Sequence, residues 1–231
     1  MSTSPTFLQY LKDRLWPAIW SAFGRTFVLL GLALLGWGAD NLTGFFAHPA
    51  RAGLAAVALA SGLFLGWLRY RTPPQPHHAH DPEHWHYSLA ELVFILAAFG
   101  DRRNVLTWAE NPSLRWVGLA IYLLASFYFA WANLTWVTYL RREVENSLEV
   151  PALLPSGPYR WTRYPTLLAL FLQVVGFVLV FRSWVGLVFL LPLLWVIFRR
   201  ARIWDQELIH DYPPRGATRC QTSKSLIPFI Y

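Results

Sequence analysis

An all-α, polytopic transmembrane helix bundle of about six spans is the fold class this sequence predicts, with five spans as the alternative. Three observations predict it. Hydrophobic residues make up 55% of the 231 residues and charged residues only 14%, too little polarity to coat a water-facing domain of this size. Apolar stretches recur along the whole length without period-2 alternation, which excludes a transmembrane barrel. The 13 tryptophans include several at the ends of apolar runs (Trp16, Trp20, Trp67, Trp116, Trp184), where interfacial belts form.

Residues 1–25 mix charge with aromatics, and Leu8, Leu11, Leu15 and Ile19 recur near a helical period. That pattern predicts an interfacial helix on the headgroups. Residues 26–140 are expected to hold transmembrane helices, beginning with spans over about 26–46 and 52–68. Between them and the next helix lies a polar, proline-rich loop, 69–88, with five of the seven histidines (His77, His78, His80, His84, His86). Ser88 and Glu91 have capping-box spacing, so a helix is expected to start near Leu89. Residues 116–140 are 25 residues without a charge, the clearest single span.

Residues 141–231 form the last unit. Two apolar runs, 167–181 and 184–198, are split only by Arg182-Ser183. Each run is about 22 Å long as helix. So short a break allows only an antiparallel helical hairpin, with both mouths on one side of the membrane. Gln173, Gly176 and Gly186 read as helix-packing positions, and Pro192 is expected to kink the second arm.

Charge sets the orientation. In a six-span arrangement Arg51, Arg102, Arg103, Arg115 and Arg182 fall on one side, leaving 15 of the 20 Lys and Arg on the other. Five spans would split them 11 to nine. The positive-inside bias favours six, with N- and C-termini cytoplasmic and Arg102 and Arg103 snorkelling. The N-terminus has no short apolar run followed by a cleavage site, so the first span is expected to serve as its own targeting signal. The net charge of +7 comes from arginines flanking apolar runs and predicts no nucleic-acid partner. One cysteine, Cys220, excludes an internal disulfide framework and a cysteine zinc site. A single histidine-rich stretch predicts a solvated loop and no metal site.

The hairpin opens on Ser156-Gly157-Pro158-Tyr159-Arg160 and Arg163-Tyr164-Pro165, and closes on Asp205, Glu207, Leu208 and Tyr212, with Ile227-Pro228-Phe229 in the tail. This pattern resembles the S-G-x-Y-x-x-x-R-H-P motif, acidic motif and L-P-F tail of the isoprenylcysteine carboxyl methyltransferase and phospholipid methyltransferase superfamily. The resemblance covers residues 137–231. It departs from the family at Tyr164 (histidine there), Leu167, Trp204, Pro213, Gly216 and Arg219.

The resemblance implies a cytoplasmic cup binding S-adenosyl-L-methionine, with Leu154, Gly157, Pro158, Tyr159, Arg163, Tyr164, Pro165, Asp205 and Glu207 as cofactor-binding candidates. A guanidinium fork suits the methionine carboxylate, and a carboxylate suits its amine. Arg163 and Asp205 are the candidates for these roles, whereas Arg199 and Arg200 read as snorkelling arginines outside the pocket. Methyl transfer needs aligned reactants in a dry site, so no catalytic side chain is singled out. The acceptor would be an amphiphile from the bilayer: a prenylcysteine carboxylate, a lipid amine or a hydrophobic thiol. Two other readings stay open: a non-catalytic lipid-binding or partner-subunit homologue, and a membrane oxidoreductase or isomerase sharing the C-terminal fold.

Overall fold

The structure, a computed structural model, describes residues 15–72, 85–145 and 156–211, together with Cys220. The histidine-cluster side chains, Leu154, and most of the 1–25 and tail segments lie outside these residues. Everything described is helix or short connection, apart from an isolated bridge between Thr107 and Ser183.

The first helix, α1, is Trp16–Trp37. It passes through a π-helical segment at Phe27–Gly31 and stops at Gly38, whose φ of 98° favours glycine. The expected boundary at residue 25 and the expected span over 26–46 are therefore displaced. Arg25, whose charge suggested the boundary, is held inside the bundle by a hydrogen bond to Gln173. A short α2, Leu42–Phe46, follows, capped by the Asn41 carboxamide accepting from the Gly44 N–H at 3.0 Å.

The third helix, α3 (Pro49–Arg71), starts on His48, whose Nδ1 accepts from the Ala50 N–H, with Pro49 in the first turn. The fourth, α4, is Trp85–Arg103, which puts Ser88 and Glu91 inside the helix. The expected capping box is therefore not one. Ala90, Val93, Phe94 and Ala97 bury one face of α4, and this packing overrides the local start signal.

Three helices complete the bundle: α5 (Pro112–Glu145), α6 (Pro165–Val180) and α7 (Trp184–Asp211). The hairpin of α6 and α7 forms as the sequence predicts, turning through Arg182 at φ 49°. Its first arm packs most extensively on α5 rather than on its own mate. Small residues explain why. A Cβ on Gly118 would sit 2.8 Å from the Gly176 carbonyl, and one on Gly176 would sit 2.7 Å from the Gly118 carbonyl. The two backbones meet where neither residue has a side chain. Pro192 lies within α7 without interrupting it.

Rings fill the centre: Phe177 stacks on Phe181 with centroids 4.4 Å apart, Phe94 packs tilted on Phe177 at 4.6 Å, and Phe45 lies 5.9 Å from Phe181. The outer surface is apolar too, with Leu124, Phe127 and Leu191 about 70% exposed. Among the described residues four helices (α1, α3, α5, α7) are long and apolar enough to cross a membrane, which marks a membrane protein. The 16-residue α6 is shorter.

The end of the bundle carrying Arg51, Arg115 and Arg182 is closed by a charge cluster. The Asp101 carboxylate, wholly buried, accepts from Arg51 Nη1 at 2.8 Å, from both Nη atoms of Arg115, and from Arg182 Nε at 2.8 Å. Arg51 also donates to the carbonyls of Phe45 and Gly44, and Arg182 to that of Trp108. Glu110 takes the remaining face of Arg115 at 2.7 and 2.8 Å. The Arg115 hydrogen bond holds the Glu110 carboxyl down at about 2. Arg102 pairs with Asp40 and donates to the Trp37 carbonyl instead of snorkelling. That hydrogen bond holds Asp40 down to about 2 as well.

Candidate functional site

The opposite mouth of the hairpin gathers the residues the motif singles out. The loop before α6 is a turn of 3-10 helix, Gly157–Arg160. Gly157 has φ 58°, and a Cβ there would lie 2.8 Å from the Thr135 hydroxyl. The position thus needs glycine for conformation and for its approach to α5. Pro158 is buried, and its carbonyl accepts from the Trp161 and Thr162 N–H groups. Tyr159 lies half-buried with its ring 6.3 Å from Trp136. Burial pushes its hydroxyl well above the usual tyrosine range. Pro165 opens α6 in the first turn, where a missing N–H leaves nothing unsatisfied.

Arg163 and Asp205, 42 residues apart, meet face to face. Arg163 Nε donates to Asp205 Oδ1 at 2.9 Å and Nη2 to Oδ2 at 2.8 Å, a bidentate fork. Arg163 Nη1 donates to the Cys220 carbonyl at 2.9 Å, so the tail reaches this mouth. The Tyr164 hydroxyl donates to Asp205 Oδ1 at 2.7 Å, and its ring packs on Trp204 at 5.2 Å. Burial, then the hydrogen bond to Asp205, pushes the Tyr164 hydroxyl far up. Side-chain exposures of 9% for Arg163 and 20% for Asp205 leave the pair at the wall of the mouth.

Three of the candidates, Arg163, Tyr164 and Asp205, therefore form one hydrogen-bonded unit. Glu207 does not join it: two residues beyond Asp205 it projects about 200° around the helix, and it is exposed. Arg200, expected to snorkel, is instead 5% exposed and lies 4.8 Å from the centre of the Trp204 ring. The contact has the i, i+4 spacing that brings side chains together along a helix, and it links Arg200 to the ring that packs on Tyr164. Among the described residues no group of three or more histidines, cysteines and acids could hold a metal.

Next to Asp205, an outer face of α7 lines an open groove of about 550 Å³. Trp195, Phe198 and Ile203 supply apolar walls, and Arg199, Arg202 and Gln206 a polar end. Such a lining suits a molecule with an apolar body and a polar head. No protein-family model matches this chain, nor does a curated protein or a solved structure.

Proposed function

We propose that the protein is an integral-membrane S-adenosylmethionine-dependent methyltransferase acting on an amphiphilic acceptor. The observation that carries this reading is the Arg163–Asp205 fork. A guanidinium and a carboxylate side by side complement a zwitterionic amino-acid group, because exchanging partners converts one ion pair into two without changing the net charge. The residues present fit the cofactor on that ground. Arg163 would hold its carboxylate and Asp205 its amine, with the glycine turn at Gly157 allowing close backbone approach. When bound, the cofactor supplies a methyl group on a positively charged sulfur. The chain's own part is to orient both molecules and exclude water at a half-buried mouth. The groove along α7 supports an acceptor that arrives from the bilayer. Six spans with both termini cytoplasmic would put this mouth where the cofactor is made.

One observation favours a second reading, a non-catalytic lipid-binding homologue. Asp205 already accepts from Arg163 at both oxygens and from the Tyr164 hydroxyl, with Tyr164 in place of the family histidine.

Calorimetry of the detergent-purified protein with S-adenosylhomocysteine, and with NADPH for comparison, decides between them. The methyltransferase reading expects binding that Arg163→Ala weakens about tenfold to hundredfold, the loss of a charge-assisted bond. Asp205→Ala should cost a similar factor, and Arg163→Lys should recover only part. Arg103→Ala, at the far end, is the control. Undetectable binding by the unmutated protein, or equal effects of Arg163→Ala, Asp205→Ala and Arg103→Ala, would overturn the proposal.

A further inference from the structure

Arg25 lies near the middle of the 22-residue α1, inside the bundle. Its Nη2 donates to Gln173 Oε1 at 2.8 Å, and its guanidinium lies 4.2 Å from the centre of the Phe129 ring. Gln173 in turn donates to the Ser126 hydroxyl at 2.9 Å. Two polar atoms in this neighbourhood are buried without a partner: Arg25 Nε and the hydroxyl of Tyr122, a fully buried residue one turn from Ser126. Tyr122 lies within electrostatic range of Arg25. Among the described residues no carboxylate pairs with Arg25. Arg51, Arg115 and Arg182, by contrast, share Asp101.

A lone cation in a medium without water is strongly unfavourable, and intramembrane charges ordinarily meet a counter-charge. A bound water would satisfy a hydrogen bond but not the charge. One positive charge with two unused donors fits a monoanion that has two acceptor oxygens, and the planar guanidinium fits a carboxylate. Arg25 keeps partial exposure on a helix whose neighbouring Phe23 and Phe27 are exposed and apolar, so the anion can arrive attached to a hydrocarbon chain. The π-helical segment beginning at Phe27 lies where helices are often remodelled for function.

We infer that Arg25, Tyr122 and Gln173 form a binding site for the carboxylate of a long-chain amphiphile. Gln173 lies about 12 Å along α6 from Pro165, so this site is distinct from the Arg163–Asp205 mouth and stands without the methyltransferase reading.

The test is saturable binding of radiolabelled oleate to the full chain in a neutral detergent, with oleyl alcohol and sodium chloride as competitors. Near-stoichiometric binding is expected, with no competition by oleyl alcohol. Arg25→Gln should weaken it at least about tenfold and Tyr122→Phe several-fold. Tyr122→Phe is the safeguard against misfolding, since removing an unpartnered hydroxyl should leave the unliganded protein as stable as before or more so. Oleate binding equal in the unmutated protein and both variants would overturn the site. Arg25-dependent stabilisation by chloride with no oleate binding would overturn the carboxylate amphiphile and leave a small inorganic anion in its place.

Discussion

Asp101 holds Arg115 through two hydrogen bonds, 2.9 and 3.0 Å long, at a carboxylate with no solvent exposure. Arg51 and Arg182 complete its coordination. This one acid therefore ties α3, α4, α5 and the α6–α7 turn together, and its loss leaves three guanidinium groups facing each other.

Asp101→Asn should destabilise the protein by about 3–5 kcal/mol, the range for breaking a buried ion pair. Glu110→Gln, at a carboxylate with 49% of its side chain exposed, should cost only about 0–1 kcal/mol. Thermal unfolding of both variants in one detergent checks the contrast; equal shifts would mean Asp101 is not the hub.

Glu110 and Asp40 both titrate near 2 in the folded protein, held down by Arg115 and Arg102. Their folded values lie below the ordinary ones of about 4. The stability they contribute is thus present above pH ~4 and lost as pH falls towards 2. His48 is pushed down by burial, so the folded state favours its neutral form, and that contribution fades as pH falls below ~6.5. Unfolding temperature should therefore fall in two stages on acidification, and His48→Asn, which keeps a capping group, should remove the first.

Gly176→Ala should destabilise by about 1–3 kcal/mol, because the added carbon meets the Gly118 carbonyl and the Tyr122 nitrogen, each 2.7 Å away. Gly24→Ala is the opposite case. Nothing lies within 4 Å of its added carbon, and a helix-interior glycine is replaced, so a gain of about 0.5–1 kcal/mol is expected. Chemical denaturation of the pair measures both signs.

Cys220 should react with a membrane-impermeant maleimide only after cells are opened. Its carbonyl is bonded to Arg163, which fixes this part of the tail at the arginine-rich end. Labelling of intact cells would reverse the orientation.

The hairpin, the helical class and the placement of Arg163 and Asp205 at one end of that hairpin were legible in the sequence. Apolar run length and a two-residue break constrain a chain strongly, and the motif's register carried the rest. Two kinds of feature were not legible. The start of α4 was hidden because Ser88 and Glu91 imitate a cap, while the true determinant is burial of Ala90, Val93, Phe94 and Ala97 against other helices. The fate of the arginines was hidden because an arginine beside an apolar run looks alike whether it snorkels or pairs. Arg182 finds Asp101 across 81 residues, and Arg25 finds Gln173 across 148, distances over which no local pattern speaks. The nearest signal was Asp101 itself, an acid between an apolar helix and two arginines.

The separations around Asp101 also set an order of assembly. During synthesis Arg51 emerges 50 residues before any acid that it will meet, and Arg182 emerges 81 residues after it. Arg115 and Asp101, only 14 residues apart, can pair as soon as both are made, because closing so short a loop is inexpensive in entropy. The α4–α5 connection is thus the part that can close first, and with Asp101 and Glu110 around Arg115 it keeps a net negative charge for Arg51 to meet. The last hairpin arrives to find its docking point already built, and a chain truncated before Arg182 would still close most of that end.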